Sequence, residues 1–523
     1  MSFPDANVFG DIVRAQSTLG AKIAFRDDVV EVSFEDFGRR VERLVQGLLA
    51  AGVRPGQRVA LLGRNSVAFA EWVATCSAGF IPVPLNWRLS RPELEQLLAD
   101  CTPAVIVADS VWIEVADEMA KTVSSVRMRV AVADGRDGWI GHEDLIKRSE
   151  GSATYPAVQP DDVACLIYTS GTTSAPKGAS ISHRGLVENC KASATQAIGV
   201  TAADVVLCVM PMFHVGGLCY YLLPSYGAGA TIVLRPMFDL ADLVSSLKSH
   251  AVTNVHLVPT MLGDLIGHPE APAAAAALRR IVYAGSAMPV AHLKRALAVL
   301  GGCSFSQSYG STEGGIISTL TPRDHEQAVA DPASAHLLAS CGRPLGADEI
   351  RIETVNGDPA EIGEPGEVLV RSARTMVGYW NLPEKSAAAF AGGFLRTGDI
   401  GYQDAQGYLY LVDRKNDMVV SGGENVFPSE VEQVLHQSPD VSEAAVFGVR
   451  DPRWIERVVA AVVLRPGSQA STQDLIAFAK LHLAAYKCPK EIFLVTELPK
   501  SGAGKVLRKT LRTKFGAASP PPK

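Results

Sequence analysis

A chain of 523 residues, 47% hydrophobic and 20% charged, is too long for one core and has the balance of a globular enzyme of two to four domains. Its 49 basic and 55 acidic side chains leave a net charge of −6 without a dominant basic stripe, which argues against a nucleic-acid partner. The nine cysteines are scattered without a Cys-x2-Cys pair and the eleven histidines lack His-Glu-x2-His spacing, which argues against zinc and disulfides and for a reducing compartment.

The opening "MSFPDANVFG" has no basic region followed by an apolar core, no run approaches a membrane span, and "SPPPK" is not a peroxisomal Ser-Lys-Leu. These features predict a cytosolic protein and leave peripheral attachment to a membrane surface open. Ser33, with Asp36 three residues on, has the spacing of a helix start, and Phe37, Val41, Leu44 and Leu48 then share one face. "RVALLG" (58–63) and "AVIVAD" (104–109) read as buried strands, as do "VVLCVMP" and "ATIVLRP" around Val205 and Ile232. Such alternation predicts an α/β fold with mainly parallel sheets.

Between these runs, a strand over Val163–Tyr168 leads into "YTSGTTSAPKGA" (168–179). Small hydroxyl residues, glycines and one lysine there suit either a surface turn or a phosphate cradle. Walker A does not fit, because Lys177 is followed by Gly178. Further on come "PMFHVGG" (211–217), with His214 at a strand end, and "APAAAAALRR" (271–280), which predicts a helix. "YAGSAMP" (283–289) is a strand followed by small residues, and "QSYGSTEGG" (307–315) sets Tyr309, Thr312 and Glu313 among glycines. After about residue 340 short alternating strands and tight turns predict a small β-rich subdomain, containing "FLRTGDIG" (394–401) with Asp399. A domain boundary is expected near 413–417. Beyond it, "DRKNDMVVSGGENVFPSEVE" (413–432) holds Arg414, Gly422 and Gly423, and "LPKSGAGKVLRK" (498–509) holds Lys505. Taken singly, each segment has a plainer reading: a turn, a helix cap, a packed aromatic, a solvated lysine.

Together and in this order, the segments resemble the adenylate-forming superfamily of acyl-CoA synthetases, peptide-synthetase adenylation domains and beetle luciferases. The resemblance covers nearly the whole chain and is closest to CoA ligases for fatty or aromatic acids. It implies a large N-terminal domain over 1–413, with layered, mostly parallel sheets and a β-rich subdomain at roughly 340–413. A small mobile α+β domain would follow over 414–523. The implied reaction has two steps. A carboxylate attacks the α-phosphorus of ATP to give acyl-adenylate and pyrophosphate, and a thiol, usually that of coenzyme A, then displaces AMP. Two anions meet in the first step, so it calls for concentrated positive charge and positioning.

Carried over residue by residue, Ser170, Thr172, Thr173 and Lys177 would hold the β- and γ-phosphates. Thr312 would touch the α-phosphate, Tyr309 stack on adenine, Asp399 accept the ribose hydroxyls and Arg414 reach the same sugar. Gly171, Gly285, Ser286 and Gly310 complete the nucleotide-contacting set. Glu313 would hold Mg2+. Lys505, Thr172, Glu313 and His214 form the implied catalytic set, with Lys505 bonding the attacking carboxylate and His214 between the acyl pocket and the thiol path. Gly422 and Gly423 would border the pantetheine arm. Gly216, Gly217, Ala284, Gly285, Gly310, Gly314 and Gly315 would line or flank a roomy acyl pocket suited to a medium or long chain or an aromatic ring. The sequence departs from the family pattern at Ser174, Asn416 and Ile455. Asp239, after Phe238, faintly resembles the amino-group-binding aspartate of amino-acid-activating domains. A carrier-protein thiol in place of coenzyme A, a catalytically silent nucleotide-binding protein, and assembly as a homodimer all remain open at this level.

Overall fold

A computed structural model describes residues 3–149, 157–169, 176–414, 417–421, 424–451, 454–500 and 506–516. The helix Phe34–Ala50 starts where its cap requires: the Ser33 side chain accepts from the Asp36 backbone N–H at 3.0 Å, and Phe37, Val41, Leu44 and Leu48 are buried. The runs that lack alternation are strands covered on both faces. Val105–Ala108 and Ile81–Leu85 are buried at every position and belong to an all-parallel sheet of five strands, in the order Ile81–Leu85, Arg58–Leu62, Val105–Ala108, Met128–Ala131, Ile140–Gly141.

A nine-stranded sheet carries the middle of the chain. Its order is Arg343–Pro344, Gly315–Leu320, Ser304–Ser311, Arg280–Ala284, Asn254–Leu257, Val205–Cys208, Thr231–Leu234, Ile23–Arg26, Glu31–Ser33. The strands from Ser304–Ser311 to Ile23–Arg26 pair in parallel; the outer pairs are antiparallel. A three-stranded antiparallel sheet joins Val163–Thr169, Lys177–Ser182 and Gly378–Tyr379. The β-rich portion is a further antiparallel sheet built on Glu349–Glu353, Gly366–Arg371, Phe394–Gln403 and Leu409–Arg414.

Near the C-terminus, the long strands Val441–Asp451 and Ile455–Leu464 pair antiparallel, with Glu491–Leu494 added in parallel. Leu435 and Leu475, from the helices Pro428–Gln437 and Thr472–His482, pack on one face. Leu511, from Arg508–Gly516, packs on the other. This unit meets the rest of the chain where the Ser429 N–H donates to Asp413 at 2.9 Å and where the rings of His292 and His436 lie 5.3 Å apart.

The alanine run differs from its expectation. Helix extends only over Ala271–Ala274, then tightens to a 3-10 turn at Ala275–Ala277. Leu278 is buried in extended conformation so that Arg280 can enter the sheet, and this tertiary demand overrides alanine's propensity. Among the described residues no helix is long and apolar enough to cross a membrane.

Candidate active site

Parallel strands release their following loops at one edge, which is where open α/β sheets bind ligands. Here Val205–Cys208, Asn254–Leu257, Arg280–Ala284 and Ser304–Ser311 share that edge. The loops leaving it carry His214, then Gly285 and Ser286, both exposed, then the hairpin with Thr312 and Glu313. The hairpin turns tightly: the Gly314 N–H donates to Ser311 Oγ at 2.9 Å. A Cβ at Gly310 would lie 2.4 Å from the Gly315 carbonyl oxygen, so the bulge between Tyr309 and Gly310 admits only glycine there.

Lys177 begins the strand facing Thr169 and extends its Nζ over the Tyr379 ring, 4.9 Å from the centroid. The Tyr379 hydroxyl donates to Glu313 Oε1 at 3.0 Å. Burial, and then the charge of Glu313, push the Tyr379 phenol well above its ordinary range, so it stays a donor. The Met376 N–H fixes the Glu313 backbone carbonyl at 2.7 Å. One aromatic side chain, absent from the sequence-derived set, thus links the lysine to the carboxylate.

A second cluster lies on the same hairpin strand. The buried Tyr309 hydroxyl donates to Asp399 Oδ2 at 2.5 Å, and the Asp399 N–H bonds Thr397 Oγ1 at 3.1 Å. Burial and then the aspartate charge hold the Tyr309 phenol protonated. Asp399 pairs with Arg414 across two antiparallel strands, so their backbones are adjacent. Thr312 is buried.

His214 precedes the helical segment 215–227, and its Nδ1 accepts from the Gly216 N–H at 3.2 Å, which puts the ring hydrogen on Nε2 in the neutral form. Asn65, from the five-stranded sheet's side, braces the approach. Its amide donates to the Met210 carbonyl at 2.9 Å and accepts from the Met212 N–H at 2.8 Å. Asp239 caps the helix Leu240–Ser249, accepting from the Asp242 N–H at 2.9 Å, which accounts for it without a ligand. Ser170, Gly171, Thr172, Thr173, Gly422, Gly423 and Lys505 lie outside the described residues, as does the side chain of Arg414.

The structure therefore joins Lys177 to Glu313 through Tyr379, and Tyr309 to Asp399, along one edge of the main sheet. A cation and a carboxylate facing a loop opening suit a phosphate and a hard metal ion; a buried aspartate suits hydroxyl donors. Sequence order alone could not have signalled Tyr379 or Asn65, whose contacts span 66 and about 145 positions.

The fold and these clusters define an enzyme of the adenylate-forming class. The AMP-binding enzyme family model matches residues 13–380 and the AMP-binding enzyme C-terminal domain matches 430–505; the chain belongs to this family. It is 37% identical over 494 residues to an indoleacetate–CoA ligase of Aromatoleum aromaticum, spanning 94% of each chain. It is 36% identical over 495 residues to a feruloyl-CoA synthase of an Amycolatopsis species, covering 94% of this chain and 96% of the relative. The solved structure of the amide bond synthetase McbA from Marinactinospora thermotolerans superposes with a TM-score of 0.87 at 30% identity, over 97% of this chain and 99% of that one.

Proposed function

We propose that the protein is an ATP-dependent carboxylic acid–CoA ligase acting through an acyl-adenylate, on a medium- or long-chain fatty acid or an aromatic acid. The Lys177–Tyr379–Glu313 arrangement carries this reading, in a chain whose family activates carboxylates. Lys177, with Ser170, Gly171, Thr172 and Thr173, holds the β- and γ-phosphates. Asp399 and Arg414 orient the ribose; Tyr309, with its hydroxyl held by Asp399, offers its ring to adenine. Gly285, Ser286 and Gly310 let the nucleotide approach the backbone, and Thr312 reaches the α-phosphate. Positive charge from Lys505 stabilises the pentacoordinate phosphorus as the carboxylate attacks, and His214 stands between acyl group and thiol.

Glu313 fits Mg2+, which takes one or two carboxylates together with substrate phosphates and water rather than an all-protein cage. Among the described residues no group of three ligating side chains exists that would make such a cage. When bound, the ion neutralises charge on phosphate oxygens. Tyr379 keeps the Glu313 carboxylate turned toward that task. Coenzyme A enters past Gly422 and Gly423 after the C-terminal domain, 414–523, turns relative to 1–413.

The test is a panel of acids from acetate to palmitate, with benzoate, cinnamates, indole-3-acetate and malonate, measuring pyrophosphate exchange and coenzyme-A-dependent AMP release. Activity with a long-chain or aromatic acid is expected. No exchange with any acid would overturn the ligase reading, and adenylation without thioester formation from free coenzyme A would transfer the acceptor role to a carrier-protein thiol.

A further inference from the structure

Buried polar groups in folded proteins are almost always hydrogen-bonded, so an orphan asks for an explanation. The buried histidines besides His256, which are His142, His183 and His325, each have at least one hydrogen-bond partner, although His183 Nε2 is also unpaired among the described residues. His142 accepts from the Trp72 indole at 3.1 Å and meets Glu71 at 2.8 Å, and His325 bonds the Tyr283 hydroxyl at 2.9 Å and the Thr321 carbonyl at 2.8 Å. His256 differs. It is 4% exposed, and among the described residues neither of its ring nitrogens has a partner.

Strand alternation fixes where it faces. Val255 and Leu257 belong to the core on one side of the nine-stranded sheet, so His256 faces the other side, toward the segment 215–227, with its ring 5.3 Å from that of Tyr221. His256 pairs with Val282, and Val282 with Ser306, so the three side chains form one row on that face. The hydroxyl of Ser306 is buried and likewise without a partner. Above this row sits Gly216. A Cβ there would lie 3.3 Å from His214 Nδ1 and 3.8 Å from His256 Cε1. Glycine therefore keeps clear the space between the two imidazoles. The facing segment carries a π-helical turn at Leu218–Leu222, a distortion frequent at functional sites.

We propose that His256, assisted by Ser306, is a specificity-determining residue that hydrogen-bonds a neutral hydroxyl or N–H group on the acyl portion of the substrate. This rests on the ligase reading above and narrows its acid: an acyl group bearing such a polar substituent satisfies the orphan atoms, and a plain hydrocarbon leaves them unpaired. Neutral imidazole both donates and accepts, which matches a hydroxyl in either role and an N–H as donor. Burial lowers the pKa of His256 to about 4, so it is uncharged at pH 7 and offers no countercharge to a second carboxylate.

The experiment compares pyrophosphate exchange for matched acids: 4-hydroxycinnamate against cinnamate, indole-3-acetate against benzothiophene-3-acetate, and 12-hydroxydodecanoate against dodecanoate. The unmodified enzyme is expected to favour the polar member of at least one pair about 10- to 100-fold in kcat/KM, the range set by leaving a buried group unpaired. His256→Leu should bring that ratio within about threefold and raise activity on the unsubstituted acid, and Ser306→Ala should lower the ratio by a smaller factor. Exchange by His256→Leu with the unsubstituted acid shows that the variant is folded. If it is inactive throughout, the Ser306→Ala ratio decides. Equal use of all three pairs by the unmodified enzyme, or an undiminished preference in the variants, overturns the inference while leaving the ligase reading intact. Exchange with no acid at all overturns both.

Discussion

Replacing Tyr379 by phenylalanine removes one oxygen and leaves the ring beneath Lys177. The lost interaction is the 3.0 Å hydrogen bond to Glu313. Bonds to charged acceptors contribute about 1.5–3 kcal/mol, and both partners here are only half-buried, so the lower part of that range applies. The corresponding loss is about 10- to 30-fold in kcat/KM for ATP. Because the hydroxyl acts through Glu313, the deficit should grow when Mg2+ is limiting and shrink when it is in excess. Pyrophosphate exchange measured over a Mg2+ titration, with thermal unfolding of the same variant, tests this. Tyr379→Ala should be worse by a further factor, since it also removes the aromatic face that holds the Lys177 ammonium. Exchange within twofold of normal at limiting Mg2+ would refute the positioning role, and a deficit independent of Mg2+ would assign the effect to local folding instead.

Lys505→Ala should slow acyl-adenylate formation by about 10²–10³ while leaving conversion of supplied acyl-adenylate and coenzyme A to thioester near normal, since the charge is needed only while phosphorus is attacked; equal rates of adenylation would point to a solvated lysine. Glu71→Ala should destabilise the chain by about 3 kcal/mol in chemical denaturation, because Glu71 is fully buried between Arg40, 2.5 Å away, and His142, and its removal takes the carboxylate from His142 Nε2 and leaves Arg40 only the more exposed Glu143. A loss under about 1 kcal/mol would contradict this, since breaking a buried pair typically costs several times more. Stability should also fall on acidification. Burial holds His183, His256 and His436 at about 4 in the folded state, against about 6.5 when unfolded. Between these values the unfolded chain binds more protons, so stability is full above about pH 6.5 and is lost as pH falls toward 4, by roughly 2 kcal/mol per histidine at pH 5. Denaturation midpoints that do not move between pH 7 and pH 5 would refute it.

The sequence by itself determined the class of fold and the family. Continuous apolar runs such as 104–108 have no polar face to offer water, which forces strands covered on both sides and hence parallel sheets. The Ser33 cap and the face of Phe37, Val41, Leu44 and Leu48 are local matters of helical geometry, legible without any partner. The motif residues could be named for the same reason: a hairpin such as 307–315 encodes its own turn chemistry over a few positions. Tertiary structure decided what no short window contains. It ended the alanine helix at Ala274, because Arg280 must enter the sheet. It brought Tyr379 to Glu313 and Asp399 to Tyr309 across separations of 66 and 90 residues. It left His256 facing a glycine instead of a partner. Alternation along a strand tells which side chains share a face, but what covers that face is set by the segments that pack against it, and those are chosen by the whole chain.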